Sequence, residues 1–306
     1  MKVVMELLLL ISNRNSFFIF VMIIVIFSCE TMKKGEISID YYNIGNEFYN
    51  DKQYKKAIEM YEKSIKYNPQ NSQAILNLIL SYQMDKQYDQ VEILIKKYYT
   101  KKITDFDKKL LLTLGNNYYL MGSYQKALST YILYVTDYES DPNGYFNIGL
   151  CYQKLGDSKN SIGYFLRAYE KDEKFVPTLY NIANYYYSQD EFEESRKFYK
   201  KLILIETNNP DLYYRLGLLE KNALQYKEAK DYFDKAINIK KDNPEYYIEL
   251  AKVYAKGYSD KKLVLETLIK AFEYNYREFD KILSTEEFIV LKETKEFAEL
   301  IKKYKF

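Results

Sequence analysis

The sequence has no histidine and no tryptophan, and only two cysteines, five prolines and ten glycines in 306 residues. Without histidine the chain lacks the commonest general base and metal ligand, and with them every Ser/His or Cys/His nucleophile pair. Cys29 and Cys151 are too few for a four-ligand metal site or a disulfide framework. Scarce proline and glycine argue against turn-rich sheet folds and for long helices. An excess of one charge is missing too: 45 Lys and Arg stand against 43 Asp and Glu, which leaves no global basic field to hold nucleic acid. No Gly-rich phosphate loop, HExxH, CxxC or GxSxG pattern occurs. Adjacent acids such as Glu193-Glu194 and Glu286-Glu287 do not face one another on a helix and read as solvated surface. The expectation is therefore a protein that is no enzyme, with no metal, no cofactor, no nucleic acid and no small-molecule substrate.

From Phe17 to Phe27 the chain reads FFIFVMIIVIF, eleven apolar residues without a break. A membrane span needs roughly 20, so this length fits a signal-peptide core, with Lys2 and Arg14 upstream as its charged region. The four residues Ile26-Phe27-Ser28-Cys29 resemble the lipobox of bacterial lipoproteins, with an aliphatic residue three before the cysteine and a small one directly before it. Phe27 departs from the usual small residue. The resemblance implies cleavage after Ser28 and acylation of Cys29, leaving the chain lipid-anchored in a bacterial cell envelope, facing the periplasm or the outer surface. An uncleaved N-terminal anchor and plain secretion are the alternatives. Residues 1–28 are thus read as a signal peptide, and 29–37 as the lipidated cysteine and a short tether that reaches roughly 25 to 30 Å at full extension.

A period of 34 residues runs through the rest of the chain. Near Ser38 it opens as Tyr41-x2-Ile44-Gly45-x2-Phe48, followed by Ala57-x3-Tyr61, Ser64 and Pro69. Equivalents of Ile44-Gly45 recur at Leu78, Leu114-Gly115, Ile148-Gly149, Ile182-Ala183, Leu216-Gly217 and Leu250-Ala251, at intervals of 34 with one of 36 between the second and third. The small-x3-aromatic spacing returns as Ala127/Tyr131, Ser161/Phe165, Ser195/Tyr199 and Ala229/Phe233. Repeat two is degenerate there, with Val91 and Ile95. Glu220 stands where other repeats place an aromatic, and repeat seven is shifted by one residue, to Val264, Leu268 and Ala271.

Residues three and four apart share a helix face, so each repeat encodes two helices with facing apolar stripes. A helical glycine costs about 1 kcal/mol relative to alanine, and its recurrence implies a close approach that offsets this. Gly122-Ser123 and Gly156-Asp157 mark turns within repeats, while Asn68-Pro69, Asp141-Pro142, Asn209-Pro210 and Asn243-Pro244 mark boundaries between them.

These landmarks resemble the tetratricopeptide repeat (TPR) family, and with the N-terminal segment the chain is similar to bacterial TPR-containing lipoproteins. The resemblance implies an all-α fold: a TPR superhelical solenoid of about seven helix-turn-helix repeats over residues 38–275. Capping helices over 276–306 would close the last apolar face with Phe279, Ile282, Leu283, Phe288, Leu291, Phe297, Leu300 and Ile301. It also implies a noncatalytic scaffold that binds another protein or a peptide segment in a concave groove lined by the first helix of each repeat. Projected by phase, that groove holds Tyr42, Asn43, Asn46, Asn77, Asn116, Tyr119, Asn147, Tyr180, Asn181, Asn184, Tyr187, Tyr214 and Arg215. The Lys/Asn/Arg set by which some family members grip a C-terminal carboxylate is incomplete: Asn46, Asn77 and Lys109 fit it, but Tyr42 and Thr113 fill the other basic slots. Two readings of the asparagines stay open, a ladder that reads a peptide main chain or a mere residue preference at that phase. The alternative function is a structural part of an outer-membrane or cell-wall assembly complex. Cys151, in the first helix of repeat four, reads as a small core residue.

Overall fold

In a computed structural model the described residues are 14–102 and 104–305. Residues 1–13 of the segment read as a signal peptide, Lys2 included, lie outside them, as does the side chain of Cys29. Among the described residues there are helices and no strands. They form two compact units, one ending at Asp157 and the other starting at Ser158.

In the first unit, α1 (Arg14–Asn50) and α2 (Tyr54–Tyr67) are followed by α3 (Ser72–Met84), α4 (Tyr88–Tyr98), α5 (Asp105–Leu120), α6 (Tyr124–Asp137) and α7 (Pro142–Lys154). The second unit holds α8 (Ser158–Lys171), α9 (Val176–Ser188), α10 (Phe192–Ile205), α11 (Pro210–Asn222), α12 (Tyr226–Ile239), α13 (Pro244–Val253) and α14 (Lys261–Glu273), then α15 (Phe279–Ser284) and α16 (Lys295–Lys305). Odd-numbered helices from α1 to α13 are the first helices of the seven repeats. Residues 30–37, expected as a tether, are the middle of α1, so Cys29 stands about 12 Å of helix rise from the repeats rather than 25 to 30 Å. Proline is absent from this stretch, and Glu30 and Lys34 pair across one turn at 2.8 Å. Among the described residues no helix is long and apolar enough to cross a membrane.

The glycines of the first helices sit where a ring of the second helix lies against the backbone. A Cβ on Gly45 would come within 2.6 Å of Tyr61 and one on Gly217 within 2.6 Å of Phe233, and one on Gly115 would likewise run into Tyr131. Side-chain caps begin many of the helices: Asn71, Thr104, Asp141, Asn209 and Asn243 each accept a bond from a backbone N–H in the first turn of α3, α5, α7, α11 and α13. Proline follows the cap in the last three, where its missing N–H costs nothing. Asn68-Pro69 differs, because the cap falls at Asn71.

Turns within repeats end the first helix through a left-handed residue with the 6→1 bond of a Schellman motif, as in Ser123 N to Tyr118 O at 2.9 Å. Gly122 and Gly156 supply that conformation freely, at φ 72° and 79°. Four other turns use Lys52, Lys86, Asp190 and Leu224, at φ 59° to 61°, and that of repeat seven uses Ser259 at φ 50°, positions the sequence pattern did not flag as turns.

Irregularities in the spacing have local causes. The 36-residue interval is taken up by the loop before α5, which is gathered around the buried carboxylate of Asp107. That carboxylate accepts from Thr100 N at 2.7 Å, Lys102 N at 3.2 Å and Thr104 Oγ1 at 2.9 Å. Burial pushes the Asp107 carboxyl up, yet these bonds outweigh it and hold it below its usual range. The one-residue shift of repeat seven coincides with a π-helical turn at Tyr254–Tyr258, which holds one residue more per turn than an α-helix. Glu220 is buried and pairs with Arg196 Nε at 2.9 Å, an ion pair in place of the missing aromatic. Repeat two, weak in sequence, still buries Val91 and Ile95 completely.

Beyond α14, residues 279–301 fold onto repeat seven. Phe279, Ile282, Phe288, Leu291, Phe297, Leu300 and Ile301 form one cluster with Ile248, Ala251, Val264, Leu268 and Phe272, whereas Leu283 is exposed.

A non-glycine residue in the left-handed region costs roughly 1–2 kcal/mol, and Leu224 is also largely exposed, with little packing to lose. Leu224→Gly is expected to raise the melting temperature by a few degrees. An unchanged or lower value in a thermal scan would show that the turn is unstrained.

Candidate partner-binding face

Within each unit the first helices leave a strip of side chains half-buried or exposed. On α1, Asn43 is exposed, and Tyr42, Asn46 and Tyr49 are half-buried. On α3, α5 and α7 the matching strips run through Asn77, through Asn116 and Tyr119, and through Asn147. In the second unit they run through Tyr180, Asn181, Asn184 and Tyr187 on α9 and through Tyr214 and Arg215 on α11. Of the thirteen residues projected by phase, none is fully buried; Asn43, Asn116, Asn184 and Arg215 are the exposed ones.

The asparagines do not act alike. In three repeats the hydroxyl of the second-helix tyrosine donates to the Oδ1 of a first-helix asparagine fifteen residues earlier. Tyr61 reaches Asn46 at 2.8 Å, Tyr131 reaches Asn116 at 2.5 Å, and Tyr199 reaches Asn184 at 2.6 Å. Asn77 Nδ2 adds a second bond to Asn46 Oδ1 at 2.9 Å, tying repeat two to repeat one. Asn181 turns its Nδ2 back onto Pro177 O of its own helix at 2.8 Å. These asparagines are therefore internal clasps first. With one lone pair of Oδ1 taken by a tyrosine, Asn116 and Asn184 keep their Nδ2 donors and one acceptor site for the outside, in an orientation that the tyrosine fixes.

Sequence reasoning missed this clasp, although a signal for it exists. Asn occupies the phase of Asn46 only where the second helix carries Tyr. Where it carries Phe165 or Phe233, the phase holds Leu150 or Leu218 instead. Leu218 packs into the cluster around Phe233.

The tyrosines are anchored as well. Tyr42 leans on Tyr61 at 6.0 Å between centroids, and Tyr214 lies between Phe233 at 5.9 Å and Tyr246 at 5.1 Å. Tyr180 donates to Glu206 Oε2 at 2.5 Å and accepts from Asn209 Nδ2 at 2.8 Å. Edge-to-face pairs bridge three turns: Tyr49 with Tyr54, Tyr119 with Tyr124, and Tyr187 with Phe192, at 5.3 to 5.7 Å. Burial pushes the Tyr61 phenol up to about 12, and those of Tyr131, Tyr180, Tyr199 and Tyr214 also rise, so they stay neutral at physiological pH. Cys151, in α7, is fully buried and its thiol is pushed up to about 12 by burial, a state that disfavours the reactive thiolate.

Comparison with known proteins agrees with this architecture. Models of the tetratricopeptide repeat family match residues 40–71 and, in succession, 142–175, 176–209 and 210–243. The chain is 27% identical over 124 residues to the general transcriptional corepressor trfA of Dictyostelium discoideum, which is 39% of this chain and 9% of that protein. It is 25% identical over 182 residues to a TPR repeat-containing protein of Methanocaldococcus jannaschii, covering 56% of this chain and 30% of the other. The chain thus spans well under half the length of either curated relative. Among solved structures it is similar to the C-terminal part of a TPR repeat-containing protein from Cytophaga hutchinsonii, with TM-score 0.57 and 16% identity over 86% of this chain and 93% of that one. A tetratricopeptide repeat protein from Parabacteroides merdae gives 0.50 and 18% over 81% and 98%. At these identities the likeness is one of fold.

If the clasp stabilises repeat three, Asn116→Ala and Tyr131→Phe should each cost about 0.5–1.5 kcal/mol. Combining Tyr131→Phe with Asn116→Leu, the pairing found in repeats four and six, should recover most of that loss. Urea unfolding of the cycle checks this; strictly additive costs would mean that the two side chains do not act as a pair.

Proposed function

We infer that this chain, an array of tetratricopeptide repeats, is a noncatalytic scaffold whose first-helix strips bind an extended segment of another protein, and that it does so tethered to a bacterial envelope membrane. The observation that carries the binding reading is the strip itself: side chains left uncovered at the same phase on successive first helices of each unit, several of them held from behind by the second helix of their repeat. A surface ordered before binding loses little side-chain entropy on binding. Tyrosine adds apolar contact area with a polar tip and few rotatable bonds, and the outward amide donors of Asn116 and Asn184 suit main-chain carbonyls. Arg215 is the one charge among the thirteen projected residues, so binding should depend only weakly on salt.

Support for the tether lies in α1. Met22, Ile24, Val25 and Ile26 are all exposed, at 48% to 64%, and residues at 100° steps around a helix cannot be hidden on one side of a protein. A lipid phase would cover them before processing, and acyl chains on Cys29 would hold the chain afterwards.

Two experiments test these readings. An Asn43→Ala/Asn77→Ala variant should lose at least ten-fold in affinity for a captured partner, against an unaffected double variant on the second-helix surface; equal losses would reduce the effect to stability. Mass spectrometry of the native protein should find diacylated Cys29 as residue one. Retention of residues 1–28, or an unmodified Cys29, would overturn the lipid anchor.

A further inference from the structure

Within the first unit the strips alternate. At the phase of Asn46 the residues are Asn46, Leu80, Asn116 and Leu150; one turn further along the same helices they are Tyr49, Gln83, Tyr119 and Gln153. The apolar member therefore changes side from helix to helix: C-terminal on α1, N-terminal on α3, C-terminal on α5 and N-terminal on α7. Tyr49, Leu80, Tyr119 and Leu150 are all half-buried, each offering part of its apolar surface to solvent.

Charge is absent from four phases of these strips, with Lys109 standing one turn before Thr113 on α5. Counting the phases of Tyr42, Asn43, Asn46 and Tyr49, four positions on each of four helices carry no Asp, Glu, Lys or Arg, in a chain where 29% of residues are charged. In the second unit the same phases bring in Arg215, Lys221, Glu249 and Lys252. A charged side chain laid on the first unit's strips would lose water and meet no partner, so an uncharged segment fits. Gln83 Nε2 is buried without a hydrogen-bond partner, a donor that a main-chain carbonyl would satisfy once the side chain turns outward.

Spacing then selects the sequence of the occupant. Packed helices lie about 8–10 Å apart, α3 touches both α1 and α5, and an extended chain advances about 3.3 Å per residue. A strand crossing the first helices therefore advances about 2.4 to 3 residues per repeat, and three where it crosses slightly obliquely. Three is odd, and side chains alternate along a strand, so residues three apart point to opposite sides. The apolar spots switch sides in the same rhythm. We propose that the first unit binds an extended, uncharged polypeptide segment with an apolar side chain at every third residue, four of them resting on Tyr49, Leu80, Tyr119 and Leu150. This rests on the scaffold reading above and adds the ligand's register to it.

The test uses the full chain and three blocked, uncharged 13-residue peptides of one composition, with leucine at every second, third or fourth position among Ser, Thr and Gln. Fluorescence anisotropy should show the third-position peptide binding at least ten-fold tighter than the others. Leu80→Asn/Gln83→Tyr, which moves the apolar spot of α3 to the other side, should weaken that peptide about ten-fold while leaving the thermal melt in place. Equal affinity for the three peptides, or indifference to the double variant, overturns the register and leaves the scaffold reading standing. Failure of all three peptides to bind overturns both.

Discussion

The fold depends on one contact: a ring from the second helix of a hairpin set close against the backbone of the first, at a residue with no side chain in the way. Tyr61 over Gly45, Tyr131 over Gly115 and Phe233 over Gly217 repeat it in both units. The contact fixes how closely the two helices approach, and through that which side chains of the first helix are left uncovered. It also explains the cost accepted in placing glycine inside a helix: a methyl group there would stand within 2.6 Å of the ring in each case, which a packed hairpin can accommodate only by opening. Where the ring is a phenol it does a second job, since its hydroxyl reaches past the glycine to the next side chain along the first helix. One residue type thus sets the spacing and orients the outer surface.

Much of this was legible from periodicity, because the 34-residue spacing reports helix packing directly. The glycine positions, the paired helices and the apolar residues of the C-terminal segment follow from which residues must share a face. Other features were not legible, for physical reasons. Asn46, Asn116 and Asn184 looked like groove residues because phase places them outward, and phase says nothing of a hydroxyl arriving from another helix. The left-handed turns at Lys52, Lys86 and Leu224 carry no glycine to mark them. The shift in repeat seven was visible as an offset, but the π-helical turn that absorbs it is a backbone event without a residue signature. Glu220 was visible as an exception, whereas its meaning required Arg196, twenty-four residues upstream and on another helix.

The two units use one plan with different surface chemistry. In the first, four phases of the strips on consecutive first helices are free of charge. In the second, Glu249 is gripped by Lys221 at 2.5 Å and by Lys252 at 2.6 Å, and the two ammonium groups overcome burial to hold its carboxyl low. That network joins α11 to α13 through ions where α1 and α3 are joined through the amides of Asn46 and Asn77. Salt and pH therefore bear more on the second unit's strip than on the first's.

A continuous α1 changes what tethering means. A flexible linker would let the repeats sweep a hemisphere and meet partners at random orientation, with an effective concentration set by chain statistics. A helix that runs without a break from Glu30, next to the proposed acylation site, into the first repeat removes that freedom. Whatever holds the N-terminal end would also hold the angle of the first hairpin, and a single helix-breaking residue between Glu30 and Ile37 would let the repeats swivel about it.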